Sequence, residues 1–389
     1  MKRGDRRTSS GRPPRQRRHE VETACAILRL ERDQERGALA VAEILDGVRP
    51  LAEVSWPELR DLLPSFIGVL LERSAALRYQ DPAEMVTEAR RAAQIACALP
   101  ARRYGAKVKA DLRARTLAEL ANAYRVADNF GMAASVLGDA SAWASRGTGD
   151  LRLAARLGDL SASFLSDERR FREAIALLER VRVQYEQLGE NHLAGRALIK
   201  QGLFTGYAGQ AESAVLLLAQ GLKLLEPGRE PALRLSGLHA MALHLVDAGH
   251  PQAARDLVEG ARSLYQRDGS RLNQIRLRWL EGKIAFGLGE DVEAESAFQA
   301  AREGFLAEVQ QFDAALVSLD LALVLAKQGR RKEIFLLVDR MVATFRRLGI
   351  RREALAALVL LRKVSGMPGP AEALSARIRA AAALLAGRG

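Results

Sequence analysis

A period of 40 residues in small and bulky side chains constrains this chain more than any other feature of its sequence. A fixed period of roughly 20–50 residues is typical of a solenoid, in which each repeat buries its apolar face only against its neighbours. Three columns of the repeat are a glycine column, a small-residue column and a bulky column. Their members are Gly209, Gly249, Gly289, Gly329 and Gly369; Ala134, Ala174, Ala214, Ala254, Ala294, Ile334 and Leu374; and Tyr185, Leu225, Tyr265, Phe305, Phe345 and Leu385.

The chemistry of the three columns predicts a pair of antiparallel helices in each repeat. Glycine just past a helix end takes the left-handed conformation without a Cβ penalty, so Gly249 is expected to end the first helix. Ala254, five residues later, lets the second helix approach the first closely. Tyr265 then falls near the end of the second helix, where it can pack against the next repeat. The sequence therefore predicts an all-α protein.

The same columns resemble the tetratricopeptide repeat (TPR) family over about residues 107–386. The resemblance implies a right-handed superhelical solenoid of antiparallel helix pairs, with a partner bound in its concave groove. The period is longer than the family's usual length of about 34 residues. Longer repeats of this kind are similar to those of kinesin light chains and of bacterial peptide-sensing regulators. The best-matching residues are Leu238, Met241, Ala242, Leu245, Gly249, Ala254, Val258 and Ala261, and, in an earlier repeat, Leu117, Leu120, Ala121, Tyr124, Phe130 and Ala133.

Composition divides the chain into three predicted segments. Residues 1–18 carry eight basic side chains and one acidic one, which gives +7 of the total +12, and contain almost no apolar surface, so we expect a disordered basic arm. Residues 19–106 have irregular helical patterns and are expected to cap the array. Residues 107–389 are expected to form the repeat array, with Gly147–Asp150 as a plain linker.

The cellular compartment is predicted from the cysteines and from the distribution of apolar residues. Its two cysteines, Cys25 and Cys97, fit neither a disulfide framework nor a metal motif, and both are expected to be buried helix residues. No apolar segment follows the basic start of the chain, and no uncharged apolar stretch of about 18 residues occurs. These features predict a soluble, cytoplasmic protein without a membrane partner. Fifty of its 59 basic residues are arginine, which favours a bacterial, GC-rich source.

The sequence contains no pattern typical of an enzyme, a metal site or a cofactor site. His239 and His244 are five residues apart, so they do not share a helix face, and His244 falls in a core column. Gly287-Leu288-Gly289 follows a helix and lacks a third glycine, unlike a dinucleotide-binding fingerprint. Asp313 and Asp320 share a face, but one such pair among 47 acidic residues is expected by chance. We therefore predict a non-enzymatic protein without a cofactor.

Partner-binding residues are expected on the first helix of each repeat, which lines the concave groove in the TPR family. Basic side chains and one tryptophan share helical stripes there, which would suit carboxylates and offer an aromatic anchor. The competing interpretation is a solvated helix face in an arginine-rich chain. The candidate groove residues are Glu119, Asn122, Arg125, Arg156, Asp159, Arg196, Lys200, His239, Arg276, Trp279 and Lys283.

The combined features favour a TPR-type scaffold or regulatory sensor whose partner is an acidic protein or peptide. The alternative is a nucleic-acid-associated factor that contacts phosphates through the basic arm of residues 1–18. That arm has no interleaved aromatic residues, and no helix-turn-helix pattern precedes the repeats. A solubilising tail is therefore the simpler interpretation of the arm.

Overall fold

The computed structural model describes residues 14–347, 358, 361 and 370–386, and every regular element among them is helical. The chain divides into two compact units, with the boundary between Glu168 and Arg169. The predicted fold class, all-α with antiparallel helix pairs of the TPR-like type, is confirmed.

The first unit contains eight α-helices among the described residues. They are α1 (Pro14–Arg36), α2 (Ala38–Leu45), α3 (Trp56–Ala76), α4 (Pro82–Ala98), α5 (Ala101–Tyr104), α6 (Ala106–Val126), α7 (Phe130–Ala144) and α8 (Leu151–Asp167). Two single 3-10 turns, Leu51–Glu53 and Leu77–Tyr79, precede α3 and follow it.

The second unit contains ten α-helices among its described residues. They are α9 (Phe171–Gln187), α10 (Asn191–Tyr207), α11 (Ala211–Leu224), α12 (Pro231–Asp247), α13 (Pro251–Asp268), α14 (Arg271–Leu288), α15 (Asp291–Ala307), α16 (Gln311–Lys327), α17 (Arg331–Arg347) and α18 (Ala371–Ala386). From α9 to α17, each helix packs on the next. Helix α18 packs on α16.

The predicted disordered arm of residues 1–18 overlaps helix α1, which begins at Pro14. Proline is well tolerated at the start of a helix, where its missing N–H costs nothing, so the paired prolines do not oppose the helix here. Residues 1–13 lie outside the described part of the chain. The prediction of buried thiols was also wrong, since Cys25 and Cys97 are both exposed.

Asp33 on α1 holds the irregular N-terminal helices together. Its carboxylate accepts a hydrogen bond of 2.8 Å from the hydroxyl of Tyr104 and one of 2.9 Å from the guanidinium of Arg103. Arg103 also donates to Asp61 on α3 at 2.7 Å. Burial and the Asp33 carboxylate both raise the pKa of Tyr104. These bonds join α5 to α1 and α3 through a tyrosine that keeps its proton.

The repeat columns occupy the structural positions that the sequence predicts. From Ala174 onwards the alanines of the small-residue column are buried, and so are the described bulky residues at the ends of the second helices. The glycines of the turn take positive φ values. Phe345, Gly369 and Leu385 lie outside the part whose side chains the structure describes. The confirmed members are Ala174, Ala214, Ala254, Ala294, Ile334 and Leu374; Tyr185, Leu225, Tyr265 and Phe305; and Gly209, Gly249, Gly289 and Gly329.

The first repeat departs from the 40-residue register by one position. Asp128 takes the left-handed turn conformation with a φ of 57°, and Ala133 is the buried alanine. Ala134, which the 40-residue spacing predicts in this column, is exposed. In the next repeat Arg169 takes the same turn with a φ of 62°. The turn geometry is therefore kept where glycine is absent.

A second glycine column, which the sequence reading missed, lies between successive repeats. Gly149, Gly189 and Gly269 have φ values of 82°, 70° and 63° and end the second helices or their connections. Val309 holds the same place one repeat later, with a φ of 59°. A β-branched side chain is strained at positive φ, so Val309 is a locally unfavourable residue of this column.

The segment predicted to be a plain linker is anchored. The carboxylate of Asp111 on α6 accepts hydrogen bonds from the backbone N–H of Thr148 at 3.0 Å and from its hydroxyl at 2.5 Å. A Cβ at Gly147 would collide with the same carboxylate. The connection between α7 and α8 is therefore held by a specific contact.

None of the described helices combines the length and the apolar character that crossing a membrane requires.

Candidate ligand-binding surface

The first helices of consecutive repeats lie side by side within each unit. In the second unit α10 contacts α12, α12 contacts α14, and α14 contacts α16; in the first unit α6 contacts α8. We call the face of α10, α12 and α14 that carries six of the predicted residues, together with Asp313 and Asp320 on the neighbouring helix α16, the first-helix surface. The six predicted residues are Arg196, Lys200, His239, Arg276, Trp279 and Lys283.

In the first unit, the predicted residues form two internal networks on α6 and α8. Arg156 makes a bidentate pair with Glu119, at 2.8 and 2.9 Å, and also reaches Asp159 at 3.2 Å. Arg125 donates to the buried Asn122 on its own helix and to Asp167 on α8. Asn122 is only 7% exposed. Two pairs, Arg156 with Glu119 and Arg125 with Asp167, therefore join the two helices, and Asn122 and Asp159 hold the arginines from their own helices.

Arg196, on α10 of the second unit, is also ion-paired. Its guanidinium lies 3.0 Å from the carboxylate of Glu230, which precedes α12 by one residue. The buried His192, one helical turn earlier, accepts the backbone N–H of Glu226 at Nδ1. Its Nε2 has no hydrogen-bond partner among the described residues. Lys200 is half-buried on the same helix.

Trp279 is held between an acid and an aromatic ring. Its indole N–H donates to the carboxylate of Asp320 on α16 at 2.6 Å, and its ring packs edge-on against Phe305 with centroids 5.9 Å apart. Lys283 lies 2.7 Å from the same carboxylate and 5.2 Å from the indole centroid. The tryptophan is therefore held in place between α14 and α16. The two charges beside it, those of Asp320 and Lys283, neutralise each other.

His239 is a neutral polar group of this surface. Its Nδ1 lies 2.8 Å from the hydroxyl of Tyr265, and burial, followed by the nearby positive charge of Arg276, lowers the pKa of His239 to about 4. Burial raises the pKa of Tyr265, so the tyrosine also stays neutral and its hydroxyl is hydrogen-bonded to the imidazole. His239 therefore carries no positive charge at neutral pH.

Arg276 and Asp313 of this surface form no salt bridge with any residue that the structure describes. Arg276 on α14 is exposed, and its one side-chain hydrogen bond within the described structure is a 3.3 Å bond to the amide oxygen of Asn273. Asp313 on α16 is half-buried and makes no side-chain hydrogen bond or ion pair there. Burial raises the pKa of Asp313, and the charge of Arg276 opposes that shift. The two side chains therefore interact electrostatically without forming a salt bridge.

The raised pKa of Asp313 predicts a pH-dependent gain from Asp313→Asn. The folded protein binds this proton more tightly than the unfolded chain does, so ionised Asp313 weakens folding at pH 7. The asparagine variant should therefore melt at a higher temperature than the wild type at pH 7, and its advantage should vanish as the pH falls below the ordinary aspartate value of 3.8.

Thermal melts at a series of pH values test this prediction. Glu333→Gln is the control, because the pKa of Glu333 is shifted in the opposite direction. A hydrogen bond from Arg330 lowers the pKa of Glu333, so ionised Glu333 stabilises the fold at neutral pH. Its glutamine variant should melt lower than the wild type at pH 7 and match it in acid. A pH-independent effect of Asp313→Asn would contradict the assignment.

Sequence reasoning missed the carboxylates that pair with the predicted cations. Glu230 lies 34 residues after Arg196, and Asp320 lies 37 residues after Lys283. Opposite charges separated by slightly less than one repeat are the signal that could have found them. Asp313 and Asp320 were treated as a chance pair, although both face the neighbouring helix α14 through Arg276, Trp279 and Lys283.

The fold and the repeat columns define a TPR-like helical repeat protein. No protein-family model and no curated protein matches the sequence. The structure is similar to that of a Rap protein complexed with competence and sporulation factor, with a TM-score of 0.59 and 14% identity over 83% of this chain and 87% of that one.

A second similar structure is aspartyl phosphate phosphatase F from Bacillus subtilis. The TM-score is 0.54, with 13% identity over 85% of this chain and 80% of that one. Rap proteins are themselves TPR-like helical repeat proteins, so the resemblance inferred from the repeat columns is confirmed at the level of fold.

Proposed function

We propose that this protein is a cytoplasmic regulatory scaffold that binds a peptide, or an extended segment of a protein, on its first-helix surface. The TPR-like fold supports this function, and one structural neighbour carries a bound factor. The name of the other neighbour includes a phosphatase, but at 13% identity that likeness informs the fold alone. Our proposal is a binding role without catalysis.

The observation that carries the proposal is the unpaired state of Arg276 and Asp313. Arg196 and Lys283 on the same surface already have carboxylate partners, whereas Arg276 has only a weak amide contact. A ligand that offers an acceptor to Arg276 and a donor to Asp313 would complete both groups. A peptide has these functions in its carbonyl or carboxylate groups and in its N–H or ammonium groups.

Trp279 supports the same choice of ligand. Its contacts with Asp320 and Phe305 fix the indole ring without burying it completely. A fixed aromatic ring offers contact area without the entropic cost of ordering a mobile side chain, which is why such residues anchor partners. The proposed ligand therefore combines an apolar group with a carboxylate near Arg276.

The nucleic-acid alternative gains no support from the comparisons. Residues 1–13 lie outside the described structure, and residues 14–18 belong to helix α1. Neither similar structure has a name that includes a nucleic acid. We therefore do not propose this alternative as the function.

A direct test uses Trp279 as a reporter. The chain has three tryptophans, and Trp56→Phe with Trp143→Phe leaves Trp279 as the only indole. This variant should be incubated with the low-mass peptide fraction of the source cells and their medium, re-isolated by gel filtration, and analysed by mass spectrometry. The captured peptide should be synthesised and titrated into the same variant.

We expect saturable binding with a change in Trp279 emission. A neutral amide substitution of the peptide's carboxylates should weaken the binding, because the acceptor for Arg276 is then lost. Recovery of no specific low-mass ligand, or saturable binding that leaves the Trp279 emission unchanged, would contradict the proposed function at this surface.

A further inference from the structure

An arginine column on the second helices has its own internal counter-ions in two repeats. Arg182 on α9 pairs with Glu179 three residues earlier, at 2.5 Å, and Arg262 on α13 pairs with Glu259 at the same spacing, at 3.0 Å. Arg262 also reaches Glu281 on α14 at 3.3 Å. The repeat therefore has a standard way of neutralising an arginine at this position.

Arg302 on α15 is the next arginine of the column, and its counter-ions are missing. The residue three positions earlier is Gln299, which donates instead to Glu295. The place of Glu281 is taken 40 residues later by Leu321, which is buried. Both carboxylates that neutralise Arg262 are thus absent from the corresponding places around Arg302.

The side chain of Arg302 is nevertheless half-buried and oriented. Its Nε donates to the hydroxyl oxygen of Ser318 on α16 at 3.0 Å, and that hydroxyl donates to the carbonyl of Ala314 at 2.7 Å. Ser318 is itself 2% exposed. The bond to Ser318 is the one hydrogen bond of Arg302 within the described residues. The N–H groups of its two terminal nitrogens are therefore free to donate to a ligand.

A second positive charge lies near this guanidinium. Burial lowers the pKa of Arg302, and the charge of Arg340 on α17 lowers it further; Glu303 has a weaker effect in the opposite direction. Arg340 is exposed and has no ion pair in the described structure. A partly desolvated cation beside a like charge is unfavourable unless an anion compensates it.

We propose that Arg302 and Arg340, with Ser318 orienting Arg302, form a binding site for a phosphate-type dianion on helices α15, α16 and α17. Guanidinium groups match the oxygens of a phosphate with paired hydrogen bonds, and two of them balance its double charge. The chemistry is the same for inorganic phosphate and for a phosphate ester. The site shares no residue with the first-helix surface, so the test of this site is independent of the test of peptide binding.

Isothermal titration of the full-length protein with inorganic phosphate, at constant ionic strength, tests the site. The decisive variant is Gln299→Glu, which restores the carboxylate that Arg182 and Arg262 have three residues earlier. We expect wild-type protein to bind one phosphate saturably, and Gln299→Glu to bind it at least tenfold more weakly. Arg302→Gln should also lose binding, whereas Arg182→Gln, in the neutralised repeat, should keep it.

Two further ligands distinguish the sources of the anion. Acetate, a monoanion, should bind at least tenfold more weakly than phosphate. If O-phosphoserine competes with phosphate, the site accepts a phosphate ester; if it does not, the ligand is the free ion, and either result supports the site. Equal phosphate binding by wild type and Gln299→Glu, or acetate binding as tight as that of phosphate, would overturn the proposal.

Discussion

Replacement of Gly221 by alanine should destabilise the second unit by about 3 kcal/mol, because the added methyl group would meet backbone atoms. A Cβ at Gly221 would lie 2.8 Å from the carbonyl oxygen of Gly195 and 2.9 Å from the backbone nitrogen of Ile199. The reciprocal Cβ at Gly195 would lie 2.8 Å from the carbonyl oxygen of Gly221. Helices α10 and α11 therefore touch through their backbones, and no side-chain movement relieves the clash.

The matched control is Gly260→Ala on α13. A Cβ at Gly260 has no neighbour within 4 Å. Alanine in an open helix interior is more favourable than glycine by about 0.5–1 kcal/mol, so this variant should be more stable than the wild type.

Urea unfolding followed by Trp279 emission, in the background that lacks Trp56 and Trp143, measures both glycine variants within the second unit. The same chemical change should shift the two midpoints in opposite directions. If both midpoints shift equally and in the same direction, helix propensity, and not the contact between α10 and α11, determines the effect of Gly221→Ala on stability.

The helix pairs could be predicted from the sequence because each column encodes a local requirement. Gly249 is required by a positive φ, Ala254 by a close helix approach, and Tyr265 by the joint between repeats. Such requirements are satisfied within one helix pair or at its joint to the next pair, so they recur with the period. The 40-residue spacing predicted Ala134, whereas the TPR resemblance named Ala133, the residue that is buried; one inserted residue shifts the register without changing the composition.

The charge partners of the surface could not be predicted in the same way. Arg196 and Glu230 belong to different repeats, and whether their side chains meet depends on how adjacent helix pairs stack. Periodicity places a residue on a helix face but does not fix the distance to the next repeat. The sequence identified two helical stripes, Arg196 with Lys200 and Arg276 with Trp279 and Lys283, and the structure shows that Arg196 and Lys283 are paired with carboxylates.

The same argument separates Asp320 from Asp313. Both acids are on α16 and were equivalent in the sequence, seven residues apart. In the fold, Asp320 accepts from Trp279 and lies beside Lys283, whereas Asp313 is partly desolvated and makes no such bond. Asp320 is paired within the fold and Asp313 is not, a difference that only the packing of α14 on α16 reveals.

Arg276→Glu should weaken binding of the captured peptide by about 10- to 100-fold, the largest effect we expect at the first-helix surface. Hydrogen bonds to a charged group contribute about 1.5–3 kcal/mol, and the reversal replaces this attraction with repulsion of the ligand's carboxylate. The new carboxylate would also lie near Asp313, where it adds a second negative charge. Arg276→Gln, which removes only the attraction, should give an intermediate loss.

Arg180→Glu is the matched control for this reversal. Arg180 is an exposed arginine on the second helix α9, so the variant has the same net charge as Arg276→Glu without changing the first-helix surface. Peptide titrations at low and high salt should separate a local loss from a general charge effect, because long-range attraction is screened by salt. The melting temperature of Arg276→Glu should correspond to a loss of about 1 kcal/mol, since the variant removes the 3.3 Å bond to Asn273, the one side-chain hydrogen bond of Arg276 among the described residues, and adds repulsion of Asp313. If both reversals weaken the peptide equally, the surface attracts its ligand by net charge alone, and Arg276 is not its anchor.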